Sequence, residues 1–216
     1  MLTLREKIFC KNSMKRIALW VTIALSVMTF SCTKENTENM AENNETALEV
    51  LKTRRAIRSY ESRIPEKELI DKVLEAGTYA PTGMGMQSPV IVAVTNPDVR
   101  DRLSKMNAEI MGRDTDPFYG APVVLVVLAD KEIPTYLYDG SLVMGNLMNA
   151  AHAVGLGSCW IHRAKEVFET EEGKAMLKEW GIEGNYEGIG NCILGYPACG
   201  LPEPKARKAD YIRYVE

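Results

Sequence analysis

From residue 46 onward the apolar positions change period several times, and each change marks a new element. Ala47, Val50 and Leu51 recur at helical spacing behind a capping box of Thr46 and Glu49, which predicts a first helix. If that helix runs on through Arg58, then Arg54 and Arg58 stand one turn apart on one face. Pro65 opens a second helix, with Leu69, Ile70, Val73 and Leu74 as its buried face and Gly77 weakening its end. The stretch 80–89 carries Gly83 and Gly85 between Pro81 and Pro89 and reads as a loop whose backbone approaches something closely. Residues 90–94 form a buried strand ended by Asn96-Pro97, and 98–111 an amphipathic helix with Leu103, Met106 and Ile110 inward.

The run Pro-Val-Val-Leu-Val-Val-Leu over 122–128 has no polar alternation, so it is buried on both faces as a central strand with helices packed over it. Residues 138–154 predict a helix with little charge after Asp139. Its small residues Gly140, Gly145, Ala150, Ala151 and Ala153 suit close packing against a neighbouring helix or a partner subunit. Gly155-Leu156-Gly157 then ends it as a C-cap. A short strand over 158–162, a helix over 170–180, a strand over 189–194 and β character at 211–215 complete the chain. This order is α+β, with a central mixed or antiparallel sheet wrapped by helices.

The first 45 residues follow another pattern. Lys15-Arg16 precedes a short apolar run ending Thr29-Phe30-Ser31-Cys32, the arrangement of a secretory signal and similar to a bacterial lipobox. Residues 1–32 are therefore expected to be signal peptide and lipobox, with Cys32 lipidated and the protein anchored in the cell envelope. The polar stretch 33–45 is a flexible tether, and 46–216 is the folded domain. Cleavage before Cys32 would leave twenty-one basic against twenty-eight acidic side chains, a net charge of −7 where the whole chain has −3. A body so acidic lacks the basic footprint of a nucleic-acid-binding protein. Cys159 and Cys192 sit in apolar runs and read as buried free thiols, and no histidine has metal-ligand spacing with a cysteine.

Against that acidic background two basic groups stand out, Arg54-Arg55-Ala56-Ile57-Arg58 and Lys205-Ala206-Arg207-Lys208. Guanidinium groups suit phosphate because their planar donors bind two oxygens at once. Solvated helix-end cations are the plainer reading of the first group taken alone. Gly155-Leu156-Gly157 is no dinucleotide fingerprint, since Trp160 stands where a third glycine is required and the order is helix to strand. No nucleophile has a supporting base, and His152 lies inside the alanine-rich helix as a core histidine would. With no catalytic side chain and no metal site in view, chemistry here falls to a bound cofactor.

Four segments occurring in order resemble the FMN-dependent nitroreductases: 54–60 (Arg-Arg-Ala-Ile-Arg-Ser-Tyr), 80–87 (Ala-Pro-Thr-Gly-Met-Gly-Met-Gln), 155–161 (Gly-Leu-Gly-Ser-Cys-Trp-Ile), and 194–197 with 204–208. The resemblance covers residues 46–216 and implies a nitroreductase-like fold and a homodimer with FMN at the subunit interface. It further implies that Arg54, Arg55 and Arg58, with Lys205 and Arg207, contact the phosphate and ribityl chain. Thr82, Gly83, Gly85 and Gln87 would meet the flavin, partly from the partner subunit, and Trp160, Ile161 and His162 would border its redox-active face. Gly85 stands where the family often has Asn, and Val90 where it has an aromatic residue, which alters the substrate side. The implied activity is ping-pong: NAD(P)H gives hydride to the flavin and leaves, and a nitroaromatic, quinone or similar acceptor binds in its place. A non-catalytic FMN-binding envelope lipoprotein, or an interaction module without flavin, are the rival readings. Absorption by flavin and acceptor-dependent NADH oxidation discriminate among the three.

Overall fold

In the computed structural model, residues 46–216 are described. The predicted signal, lipobox and tether all lie outside them. The chain divides after Glu49 into two units, and Val50–Glu216 is the larger. Residues 46–53 are helical (α1), so Thr46 is already inside the helix and is not the cap suggested by its spacing from Glu49. The helix also stops short of Arg58. Arg54 N–H closes its last turn on Val50 O, after which the chain is extended. Leu51, expected on a buried stripe, is exposed.

Four antiparallel strands make the sheet: β1 (Pro89–Val94), β2 (Val123–Asp130), β3 (Gly157–Ile161) and β4 (Tyr186–Gly195), in the order β1-β2-β4-β3. β2 is interior, as its unbroken apolar run requires, and its side chains alternate between two cores. Val123, Leu125, Val127 and Ala129 pack with α2 (Lys67–Thr78) and α4 (Tyr136–Ala153). Val124, Val126 and Leu128 pack with α3 (Pro97–Met111), α5 (Ala164–Glu169) and α6 (Glu171–Glu179). A register shift between Val127 and Leu128 inserts Ile189 as a bulge in β4, which turns it toward Gly140 of α4.

Local chemistry accounts for the helix ends. Asn96 caps α3 by accepting from Val99 N–H at 3.1 Å, Pro97 sits at its first position, and Gly112 closes it in the left-handed region at φ 67°. Thr170 caps α6 through Gly173 N–H. Gly155 ends α4 at φ 79°, with Leu156 N–H reaching back to Ala151 O. Gly77 has a packing role: a Cβ there would meet Leu147 at 2.6 Å, so glycine lets α2 close on α4. Two expectations differ. Ile110 is exposed while Ser104 and Asn107 take the inward positions of α3, because Asn107 bonds His162 O and Arg163. Residues 211–215 form no strand and are exposed, since no sheet edge of this chain lies beside them.

Candidate functional site

The arginine stretch is a backbone extension of the sheet. Ala56 bridges Ser158 in parallel, and Ile57 N–H donates to Ser158 O at 2.9 Å, so residues 54–58 run along the free edge of β3. Ile57 drives this docking: it is fully buried, and a Cβ at Gly157 would meet its side chain at 3.0 Å. In extended chain alternate residues share a side. Arg54 and Arg58 therefore remain co-directed without the helix, and both guanidinium groups act on the Cys159 thiol, whose pKa burial nonetheless pushes up. Among the described residues none of the three arginines forms a salt bridge; Arg58 lies over the Tyr119 ring, 5.9 Å from its centroid. Arg55 donates to Lys52 O and Arg54 O, while its Nε is buried without a partner.

Beside them, His152 in the last turn of α4 meets Thr53 Oγ1 at 2.9 Å through Nε2. Burial first, then Arg54 and Arg55, hold its pKa below the ordinary 6.5. This corner therefore stays cationic through guanidinium groups and disfavours a further proton.

The second part of the site is the 82–88 loop, a tight turn around Gly83–Gly85. Met84, Gly85 and Gln87 all have positive φ, at 53°, 68° and 51°. Gly83 N–H donates to Asp139 Oδ1 at 2.9 Å, and Ser88 Oγ donates to Asp139 Oδ2 at 2.8 Å. Asp139 is only 2% exposed. No functional reading of the sequence had singled it out. The available signal was its position, as the one acid in an α4 otherwise free of carboxylates. Gln87 is tied back to Thr82 Oγ1 by its own N–H, and Gly85 faces open space.

Third comes the end of β3. Trp160 turns toward α4: a Cβ at Gly190 would meet its Nε1 at 2.6 Å, and that indole N–H is buried without an acceptor. Ile161 points into the core, which leaves only its backbone to face a ligand. The His162 ring is exposed beside Trp160, centroids 5.9 Å apart. The tail begins at the arginine stretch, where Tyr60 bridges Pro197 and Ala198 N–H donates to Ser59 O. Lys205 and Arg207 lie further along the tail and are exposed. The loop and the arginines also stand apart. One is fastened to Asp139 and the other lies by His152, thirteen residues along α4, or about 20 Å of helix.

Residues 51–116 and 111–196 match the sequence profile of the Nitroreductase family. The chain belongs to the nitroreductase family. A protein of Archaeoglobus fulgidus with the provisional name NADH dehydrogenase/NAD(P)H nitroreductase is 32% identical over 159 residues, which are 71% of this chain and 86% of that protein. A similarly named protein of Methanothermobacter thermautotrophicus is 33% identical over 118 residues; that match spans 52% of this chain and 59% of the relative's length. A nitroreductase of Bacteroides fragilis, solved with bound FMN, is 29% identical, superposes with a TM-score of 0.71, and covers 79% of this chain and 98% of its own. The nitroreductase fold thus carries the arginine edge, the 82–88 loop and the end of β3 around one helix, α4.

Proposed function

We propose that this nitroreductase-family protein is an FMN-dependent oxidoreductase that passes hydride from NAD(P)H to a nitroaromatic, quinone or similar acceptor, both using one site in turn. One observation carries the reading: three guanidinium groups in five positions, without carboxylate partners among the described residues, are fixed along a sheet edge in an acidic chain. Unneutralised cations in such a place suit a phosphate. The remaining chemistry fits the same cofactor. Arg55 Nε and the Trp160 indole are buried donors without acceptors, and Gly85 leaves room for a flat group. The FMN-bound B. fragilis relative supports the choice.

Bound there, FMN would supply the two-electron transfer itself. Arg54, Arg55 and Arg58 would hold the phosphate and ribityl chain, with Lys205 and Arg207 closing from the tail. The 82–87 loop would pack against the ring system, and donors fixed near β3 would favour negative charge on it. The backbone at Ile161 and the rings of Trp160 and His162 would border the open face. No side chain of this chain is assigned to form a bond with substrate.

The same reading includes a homodimer. The loop and the arginines are too far apart along α4 to enclose one ligand from a single copy. Large apolar side chains lie exposed in the loop, at the start of α4 and in α1, with Met84 at 90%, Tyr138 at 71% and Leu51 at 59%. A second copy would cover them and bring its loop to the first copy's arginines. In this proposal residues 1–32 are signal peptide and lipobox, with Cys32 carrying the lipid, and 33–45 are the tether. The Cys32→Ser variant should then leave the membrane fraction.

The deciding experiment is the visible spectrum of the purified full chain with FMN, followed by NADH oxidation with and without a quinone or nitroarene. A flavin spectrum, acceptor-dependent oxidation and parallel initial-rate lines are expected. Protein that neither retains nor binds FMN would sink the proposal, and flavin without oxidation would favour a non-catalytic binder.

A further inference from the structure

We infer that Asp139 is the positioning residue of the 82–88 loop, one buried carboxylate that fastens both ends and so sets the backbone offered to the flavin. The inference rests on the flavin-site reading above and adds a residue to it. Asp139 lies in the first turn of α4, where a carboxylate is favoured by the helix dipole. That explanation is insufficient, because its side-chain donors come from outside the helix. Gly83 N–H reaches Oδ1 at 2.9 Å; Ser88 Oγ and Thr135 Oγ1 reach Oδ2 at 2.8 and 3.1 Å. An ionised carboxylate only accepts, which matches three donors around it.

Between the two fastened ends the chain is bent against its preferences. Met84 and Gln87 have side chains that disfavour positive φ, and such residues persist where their surroundings over-determine them. Besides Asp139, Gly85 N–H to Thr82 O, Met86 N–H to Gly83 O, Gln87 N–H to Thr82 Oγ1 and Asp130 N–H to Ser88 O oppose relaxation. Thr135 closes on Gly83 so tightly that no Cβ fits there, which keeps the loop end against the carboxylate. The clamp reaches further. Thr82, Gln87 and Pro89 line a cavity of about 300 Å³ with Leu74, Ile91 and Val143, mostly apolar and large enough for a single aromatic ring. Asp139 thus sets both the path of the loop and one wall of that cavity.

The test compares full-chain wild type, Asp139→Asn and Ser88→Ala by hydrogen exchange and FMN titration. Asparagine keeps one acceptor oxygen for Gly83 but turns an uncharged NH2 donor toward the hydroxyls of Ser88 and Thr135, so those bonds must reverse and all three lose the charge of the carboxylate. Exchange in peptides spanning 82–88 should rise about tenfold in Asp139→Asn while those of β2 and β4 keep their protection. FMN affinity should fall about tenfold, and Ser88→Ala should move both readings the same way by less. Unchanged loop exchange, or a uniform rise across sheet and loop, overturns the assignment. Should Asp139→Asn fail to fold, Ser88→Ala decides alone: a local rise supports the clamp and none overturns it. Wild type that binds no FMN while the variants still loosen the loop would refute the flavin reading and leave the clamp standing.

Discussion

The arginine stretch and the 82–88 loop are fastened by opposite means. Residues 54–58 are held through their backbone and through Ile57, so their long polar side chains are left over for a ligand. The loop is held by Gly83 N–H and the Ser88 hydroxyl converging on the carboxylate of Asp139, a side chain of another element. The first segment is anchored by what it does not present, and the second by a carboxylate more than fifty residues away. Side-chain substitutions should therefore strike function in the first and geometry in the second.

Breaking the first anchor should have the largest effect. Ile57→Ala removes a fully buried side chain and should lower stability by about 2–5 kcal/mol in chemical denaturation. A loss below half a kcal/mol would show that the backbone pairing alone holds the edge. Next comes the ligand side of the same stretch. Arg54→Ala should weaken FMN binding by about 1.5–3 kcal/mol, roughly one to two orders of magnitude, with the unfolding midpoint nearly unmoved. Riboflavin, lacking the phosphate, should bind both forms alike; equal losses for both flavins would remove the phosphate role.

A smaller effect sharpens the loop side. Gly85 and Gly112 share φ near 68° with open space around them, so alanine at either should lower stability by about 1 kcal/mol through backbone strain. Only Gly85→Ala should also weaken FMN binding. Equal flavin titrations for the two variants would detach the loop from the site. The smallest effect is at His152. Its depressed folded pKa means that the unfolded chain takes up a proton first as pH falls below 6.5. That contribution to stability is present above pH 6.5 and is lost as pH drops toward the folded value. NMR titration should place its midpoint below 6.5, and Arg54→Ala should move it upward. An unmoved midpoint would separate His152 from the arginine corner.

How legible each region was follows from the same contrast. β2 announced itself, since burial on both faces leaves no polar position in the run Val123–Leu128. The end of α4 was equally plain, because Gly155 supplies a left-handed cap. The end of α1 was not. Arg54 to Arg58 have helical propensity, and what overrides it is an edge formed by Ser158, a hundred residues away. Asp139 was invisible as a loop anchor for a related reason: its partners Gly83 and Ser88 lie more than fifty residues earlier. The sequence set Lys205 and Arg207 beside the arginines as a second basic group in an acidic chain, and gave the two groups one ligand only through family resemblance. The chain ties the start of that tail beside Ser59, and the two cations further along it are exposed.

The strand order has a consequence for the time course of folding. β2 lies between β1 and β4, yet β4 follows the other three strands of the sheet in the chain. Until β4 is synthesised, β2 offers a bare edge and an apolar face that is wholly covered in the finished protein. β3 and the arginine stretch have no place to dock before then, because β4 joins them to the rest of the sheet. Such non-local closure is slow, and until β4 arrives it leaves the edge of β2 open to pairing with other chains.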